Sequence, residues 1–405
     1  MSFFNKIKTL PADSPGIDAY GRIRVSNPET IFDSKQLFHS GALIWDDQEI
    51  TGSSTTSIFH VNRASTILAV ASGTLGTRTR QTKASFNYQP GKSQEIMSTF
   101  VLGNSVSGVT KQIGYFDDDN GLFLEDNGTN LGVVVRSSVT GTVVDTRVAQ
   151  ADWNLDVLDG AGASTKLLDM SKAQLLVIDF EWLGTGRVRF GFVFEGLIVY
   201  FHQILTANNQ TAVYMASPNN PIRASIANDG TGLADSIEVI SSTVISEGGQ
   251  KKVGLQKYIS TDGTAVAAAV ANTVYALVGI ELKANNKCTV DLSKISVLSE
   301  TNFPLEWILI LNPTVAGTPV FSSLGADSCL NVVRGATANT VTGGTALFGG
   351  WVSQKDETDI VSFASKNVIQ LGTLIDGTRD RIYLCARPRS NNLNIQGSIS
   401  LLEIQ

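Results

Sequence analysis

The sequence predicts an all-β chain of two antiparallel, jelly-roll-like β-sandwich domains behind an extended N-terminal arm. Three observations carry that prediction. Short apolar runs recur along the chain, several alternate strictly in polarity as half-buried strands do, and Gly, Thr and Asn turns separate them. The length of 405 residues exceeds the roughly 250 at which a single hydrophobic core stops growing, so two domains are expected, over 37–250 and 251–405, behind an arm over 1–36.

The arm comes first. It carries Pro11, Pro15 and Pro28 with little apolar periodicity, and proline fixes φ and cannot donate to a ladder. An extended arm must lie on something. Tyr20, Ile23, Val25, Ile31 and Phe32 are the residues expected to dock it on a neighbouring domain or subunit by pairing with a sheet edge. Strands begin near Leu37. In Arg187 to Phe194, Val188, Phe190, Phe192 and Phe194 share one face; Glu195-Gly196 reads as a hairpin turn; Leu197 to Phe201 is apolar on both faces and is expected to be central. Leu122 to Leu124, Leu131 to Val135 and Thr142 to Val148 form a meander around Asn127-Gly128 and Thr140-Gly141. Between these sets, Asp152 to Asp169 has no period and reads as a long loop, a feature that often carries function or subunit contacts. The pattern pauses over Ser241 to Lys252, where the domain boundary is placed. It restarts after Gly254, with strand candidates at Val274 to Leu282, Cys288 to Leu292, Trp307 to Leu311, Val332-Val333, Ala346 to Val352, Val361 to Phe363 and Ile382 to Ala386. Thr264 to Ala271 stays open between a helical turn and a strand.

Composition excludes several functions. Apolar residues make up 42% and charged residues 17%, against about 25% charged in an average soluble domain, which argues against disorder and coiled coil alike. With 31 Lys plus Arg and 37 Asp plus Glu, the net charge of −6 disfavours nucleic acid, whose binding needs cations against phosphates. No apolar run reaches the ~18 residues of a membrane span or resembles a signal peptide, so the chain is expected to be made in a cytoplasm and not anchored. Cys288, Cys329 and Cys385 are widely spaced and read as buried small apolar residues rather than a disulfide framework or metal site.

No cofactor, metal or catalytic set is predicted. Gly91-Lys92-Ser93 has the end of a phosphate loop but Phe86 where its first glycine belongs, and Gly160-Ala161-Gly162 has Thr165 in place of the third dinucleotide glycine. Asp117 to Gly121 invites a calcium reading, yet Phe116 and Asn127 stand at the two end positions of the loop pattern, so a solvated turn is favoured. His39, His60 and His202 have no metal-like partners. Asp179 and Glu181 lie two apart on a predicted strand, as a glycosidase acid pair must lie within reach of one another; the plainer reading pairs them with Arg187 or Arg189 on the next strand, and it is preferred.

Six segments carry a resemblance: DAYGRIRVSNPETIFD (Asp18 to Asp33), YQPGKSQ (Tyr88 to Gln94), GYFDDDNGLFLE (Gly114 to Glu125), QADWNLDVLDGAG (Gln150 to Gly162), FEWLGTGRVRFGF (Phe180 to Phe192) and PNNPIRASI (Pro218 to Ile226). Together they resemble a family of virion structural proteins of tailed bacteriophages. The resemblance implies a particle component, a capsid decoration, head fibre or tail part, located in the virion and packed against copies of itself, as a trimer or another closed oligomer, and against other virion proteins. It supplies no catalytic residues. Two rivals stand beside it: a carbohydrate-binding adsorption protein in which Trp153, Trp182 or Trp351 stacks on a host surface glycan, and a tail glycan depolymerase using Asp179 and Glu181.

Overall fold

The computed structural model describes residues 16–20, 23, 27–301, 303–335, 339–353, 357–361 and 370–404. They divide into two compact units, residues 1–82 with 86–251, and residues 83–85 with 252–405. Every strand pairing among the described residues is antiparallel. The expected architecture, two jelly-roll-like sandwiches and an extended N-terminal arm, is the one observed.

The first unit begins with β1 (Glu29–Lys35), β2 (Trp45–Gly52), β3 (Thr55–His60), β4 (Ser65–Val70), β5 (Leu75–Thr82), β6 (Ser93–Val101) and β7 (Val109–Phe116). It continues with β8 (Gly121–Asp126), β9 (Leu131–Ser137), β10 (Val144–Ala149), β11 (Gln174–Phe180), β12 (Arg187–Phe194), β13 (Leu197–Leu205), β14 (Ile222–Asp229) and β15 (Asp235–Glu247). One sheet runs β13-β12-β11-β6-β15-β4-β3, with β1 also on β15; the other runs β10-β9-β8-β7-β14-β5-β2. Alternation explains the core. Val188, Phe190 and Phe192 of β12 and Leu176, Ile178 and Phe180 of β11 are buried, and Phe180 meets Tyr115 of the opposite sheet with ring centroids 5.6 Å apart. Each buried phenylalanine contributes about 1.5–3 kcal/mol of hydrophobic stabilisation. The β12–β13 turn has φ of 54° at Glu195 and 82° at Gly196, the left-handed pair that a two-residue hairpin matched to strand twist requires.

Two expectations need correction. Leu197 to Phe201 lies in β13, an edge strand rather than a central one; Leu197 is 70% exposed, and the strand's edge is met where the backbone N–H groups of Leu155 and Asp156 donate to the Phe201 carbonyl and Asn154 brackets Gln203. Ser241 to Lys252 is not a pause, since its first seven residues belong to β15; their serines fill a narrow seam in which Ser98 and Ser242 hydroxyls lie 3.3 Å apart. The arm, expected to dock on a neighbouring domain or subunit, has its described strand β1 on a sheet edge of the domain that follows it. β15 has 13 residues, β4 covers only Asp235 to Val239, and β1 completes the same edge from Ser241 to Ser246. Phe32 packs on Phe86 and Trp45 with centroids 4.7 and 6.2 Å away, and the Tyr20 hydroxyl lies 3.5 Å from that of Tyr88. Ile31 is half-buried in β1, Ile23 bridges Ile17 while 59% exposed, and Val25 lies outside the described residues.

The second unit opens with β16 (Leu255–Ser260), β17 (Val266–Ala268), β18 (Tyr275–Leu282), β19 (Thr289–Ser299), β20 (Leu305–Leu311), β21 (Thr314–Val315) and β22 (Ser322–Ser323). It closes with β23 (Leu330–Arg334), β24 (Val341–Thr342), β25 (Thr345–Val352), β26 (Glu357–Val361), β27 (Arg381–Pro388) and β28 (Leu393–Ile404). A five-stranded sheet centred on β28 and β19 packs on the six-stranded sheet β22-β23-β18-β27-β20-β25. Leu393, Ile395, Ile399 and Leu401 of β28 supply fully buried side chains at every second position, interrupted at Gly397. The outer face of the six-stranded sheet is itself covered: Ile308, Ile310, Tyr383 and Cys385 form a second cluster beneath Val315 and Phe321. Gly279 makes that packing possible, because a Cβ there would sit 2.4 Å from the Tyr383 ring.

Candidate functional site

The acid pair is accounted for first. Asp179 and Arg189 are directly opposite on β11 and β12, and both are fully buried. The guanidinium donates to Asp179 Oδ2 through Nε, at 3.1 Å, and through Nη2; it also donates to the Ile17 carbonyl and lies 4.1 Å over the Tyr200 ring. Glu181 stands just past the end of β11. Its Oε1 accepts from the N–H groups of Thr185 and Gly186 at 2.9 and 2.6 Å and from the Thr206 hydroxyl at 3.0 Å, which ties the 182–186 turn together. Both acids are thus committed to holding strands and a turn.

The other singled-out segments close turns in the same way. Asp117 Oδ1 accepts from the N–H groups of Asp119 and Asn120, Asp118 pairs with Arg223, and Asn120 Oδ1 accepts from Ala216 N–H at 2.8 Å. Among the described residues no three His, Cys, Asp or Glu side chains are placed to hold a metal. In the 152–169 loop, Asp156 accepts from the N–H groups of Leu158 at 2.8 Å and Ser164 at 2.6 Å. Burial pushes its carboxyl up, but these bonds outweigh that and hold it below the usual carboxylate range. A depression of about 480 Å³ does contain two acids, Asp126 and Asp169. Asp126 is bonded to Gly128 N–H and faces the buried Lys111 ammonium at 3.5 Å, and Asp169 accepts from the hydroxyl and N–H of Ser171.

The tryptophans separate into two groups. Trp153 is 4% exposed with its ring centroid 4.0 Å from that of Phe201, and Trp182 is half-buried, its indole N–H donating to the Met215 carbonyl at 2.8 Å. Both serve packing. Trp351, at 55% exposed on β25, is the one of the three free to meet a ligand, although the Arg389 guanidinium lies 4.5 Å from the ring centroid on one face.

A candidate cavity of about 660 Å³ lies at the open side of the first sandwich, between the edge strands β10 and β13. Strand alternation builds one wall. Val144, Thr146 and Val148 face the groove, whereas Asp145 and Arg147 turn to the other face and pair with Arg136 and Glu125 at 2.8 Å. The opposite wall is His202 to Thr206 with Val188 behind it, and residues 210–214 close one end. Among the described residues that line this groove none is Asp, Glu, Lys or Arg; hydroxyls, amides and an imidazole alternate with aliphatic side chains. His202 contributes a defined donor. Its Nδ1 accepts from Asn154 N–H at 3.3 Å, so the neutral ring carries its proton on Nε2, and burial holds the imidazole below its ordinary pKa. Burial also pushes the Tyr214 phenol well up, and its hydroxyl donates to the Glu181 carbonyl.

Of these groove residues the sequence singled out His202 alone. The signal available for β10 was its alternation of aliphatic and hydroxyl side chains against charged ones, which marks a strand with one ion-paired face and one uncharged face.

No protein-family model matches the chain, and no curated protein matches it. Among solved structures, a Bacteroides ovatus mixed-linkage glucan GH16 protein in complex with a G4G4G3G product is 9% identical, with a TM-score of 0.36, covering 53% of this chain and 99% of its own. A glycosyl hydrolase family protein from Mycobacterium fortuitum is 10% identical, with a TM-score of 0.37 over 53% and 99% of the two chains. A legume lectin-like domain from Entamoeba histolytica is 9% identical, with a TM-score of 0.32 over 53% and 96%. These are names of glycan-binding and glycan-cleaving proteins, and no particle protein stands among them. The expectation of a phage structural component with capsid, fibre or tail roles is corrected on this finding.

Proposed function

We propose that the chain is a glycan-binding protein whose first unit holds an uncharged saccharide in the groove between β10 and β13 without cleaving it. One observation carries this reading: the groove pairs aliphatic surface with hydroxyl, amide and imidazole groups and has no formal charge on its walls. Saccharides present C–H faces and a rim of hydroxyls that both donate and accept, so they need apolar contact and neutral hydrogen-bonding groups side by side. An anionic sugar would leave its charge desolvated with no cation to meet it, which costs several kcal/mol. General acid–base cleavage needs two carboxyl groups flanking the bond, and the two named acids are bonded into the strand ends instead.

Affinity electrophoresis of the intact chain tests this, using gels that contain neutral polysaccharides (β-glucan, mannan, galactan) or anionic ones (alginate, hyaluronan). Retardation by a neutral polymer is expected, with no new reducing ends. Thr146→Arg, which places a cation in the groove from an exposed strand position, should abolish it. Retardation by anionic polymers alone, or retardation unaffected by Thr146→Arg, would refute the reading.

A further inference from the structure

We infer that Cys288 and Cys329 are a redox pair, which closes into a disulfide when the folded chain meets a small-molecule disulfide such as oxidised glutathione. The two lie 329 − 288 = 41 positions apart, and no CxxC spacing marks them. Strand register brings them together. Cys288 immediately precedes β19, whose first residue Thr289 pairs with Ile404 of β28; Cys329 immediately precedes β23, whose Leu330 pairs with Leu282 of β18. Both therefore sit at the same end of the second sandwich. The Cys329 N–H donates to Glu403 Oε2 at 3.1 Å, one residue along β28 from the partner of Thr289, and the two thiols lie within hydrogen-bonding reach of each other in one core cluster. Cys385 is an internal control. It lies in the separate cluster on the other face of the six-stranded sheet, with its thiol 3.8 Å from the Tyr383 carbonyl.

The chemistry balances with the oxidant named. A thiolate of the pair attacks the glutathione disulfide, forming a mixed disulfide and releasing one glutathione thiolate; the second protein thiolate attacks the protein sulfur of that mixed disulfide and releases the other. Two protein thiols lose two electrons and two protons, and the oxidant becomes two molecules of reduced glutathione. The hydrogen bond with the Cys288 thiol and, after it, burial push the Cys329 thiol up, so closure is slow near neutrality and faster in mild alkali. The new bond would tie the β18–β19 turn to the β22–β23 turn across a loop of 41 residues or so, shrinking the unfolded ensemble.

The test uses the full chain, held folded with oxidised glutathione at mildly alkaline pH, then denatured without reductant and alkylated. The expected result is a fall from the three free thiols to one, located at Cys385, a mass lower by two hydrogens, and a peptide joining Cys288 to Cys329. A melting transition should rise by about 5 °C or more and return on reduction. Cys288→Ser, an isosteric change at a core rim, should abolish both the linked peptide and the rise. Glutathione adducts without the linked peptide, or Cys288 and Cys329 alkylated as fully as Cys385 after prolonged oxidation, would overturn the inference.

Discussion

Asp179→Asn separates the structural account of the acid pair from a catalytic one. The carboxylate and the Arg189 guanidinium are both fully buried, so the substitution leaves inside the sandwich a cation that has lost its counter-charge on β11, with the Ile17 carbonyl and the Tyr200 ring beside it. Removing one partner of such a pair costs about 3–5 kcal/mol, because the remaining charge keeps its desolvation penalty and loses its counter-charge. Replacing both partners with apolar residues of similar volume removes that penalty. Asp179→Leu with Arg189→Met should therefore be more stable than Asp179→Asn, although it forfeits the cation–π contact, worth about 2 kcal/mol when desolvated. Urea unfolding of the intact chain, followed by far-UV circular dichroism, reads both effects as shifts of the midpoint at constant slope. An unfolding curve for Asp179→Asn that matches wild type would refute the reasoning, as would a double variant less stable than the single one.

Three further outcomes follow from the geometry. The buried His202 imidazole has a folded pKa below its unfolded value of about 6.5, so its share of stability is complete above that pH and is lost as pH falls through the folded value; melting temperature measured from pH 8 to 5 should show an acid-side decline that His202→Gln reduces, and a rise on acidification would contradict this. Gly279→Ala should cost about 1–3 kcal/mol through overpacking against the Tyr383 ring, and chemical denaturation with no change would show that the ring yields freely. Trp153→Ala should cost about 3–5 kcal/mol by opening a cavity beside Phe201, whereas Trp351→Ala should cost about 0.5–1 kcal/mol through its contact with Arg389, so parallel melts that rank the two in reverse would contradict their placement.

Period-two alternation made β12 legible, and the Asn-Gly and Glu-Gly turns made its hairpin and the β8–β9–β10 meander legible, because these signals are local. Whether a strand lies at the centre or edge of a sheet is not local. β13 reads as apolar on both faces yet lies at the sheet edge, where Asn154 to Asp156, from far earlier in the chain, bond to it. The destination of the arm had the same character, since only the mismatch in length between β15 and β4 leaves an edge for β1. β28 was missed although Leu393, Ile395, Ile399 and Leu401 alternate strictly; the serines and asparagine between them conceal a strand that lies at the heart of its sheet. The groove was the least legible feature, because Thr146 and Thr206 come from elements 60 positions apart and carry no chemistry that stands out in sequence. In contrast, a pairing of one of the two acids with an arginine of the next strand was readable from adjacent strands, and the structure makes it Asp179 with Arg189.

Hydrogen exchange of the intact chain, with and without the neutral polysaccharide fragment that retards it most, tests the binding role directly. Protection confined to residues 135–148 and 202–214, with Val188 behind them, is the predicted result, since the lining of the groove comes from there. Protection that instead surrounds Trp351 and leaves both groove segments exchanging at their unliganded rates would contradict the account.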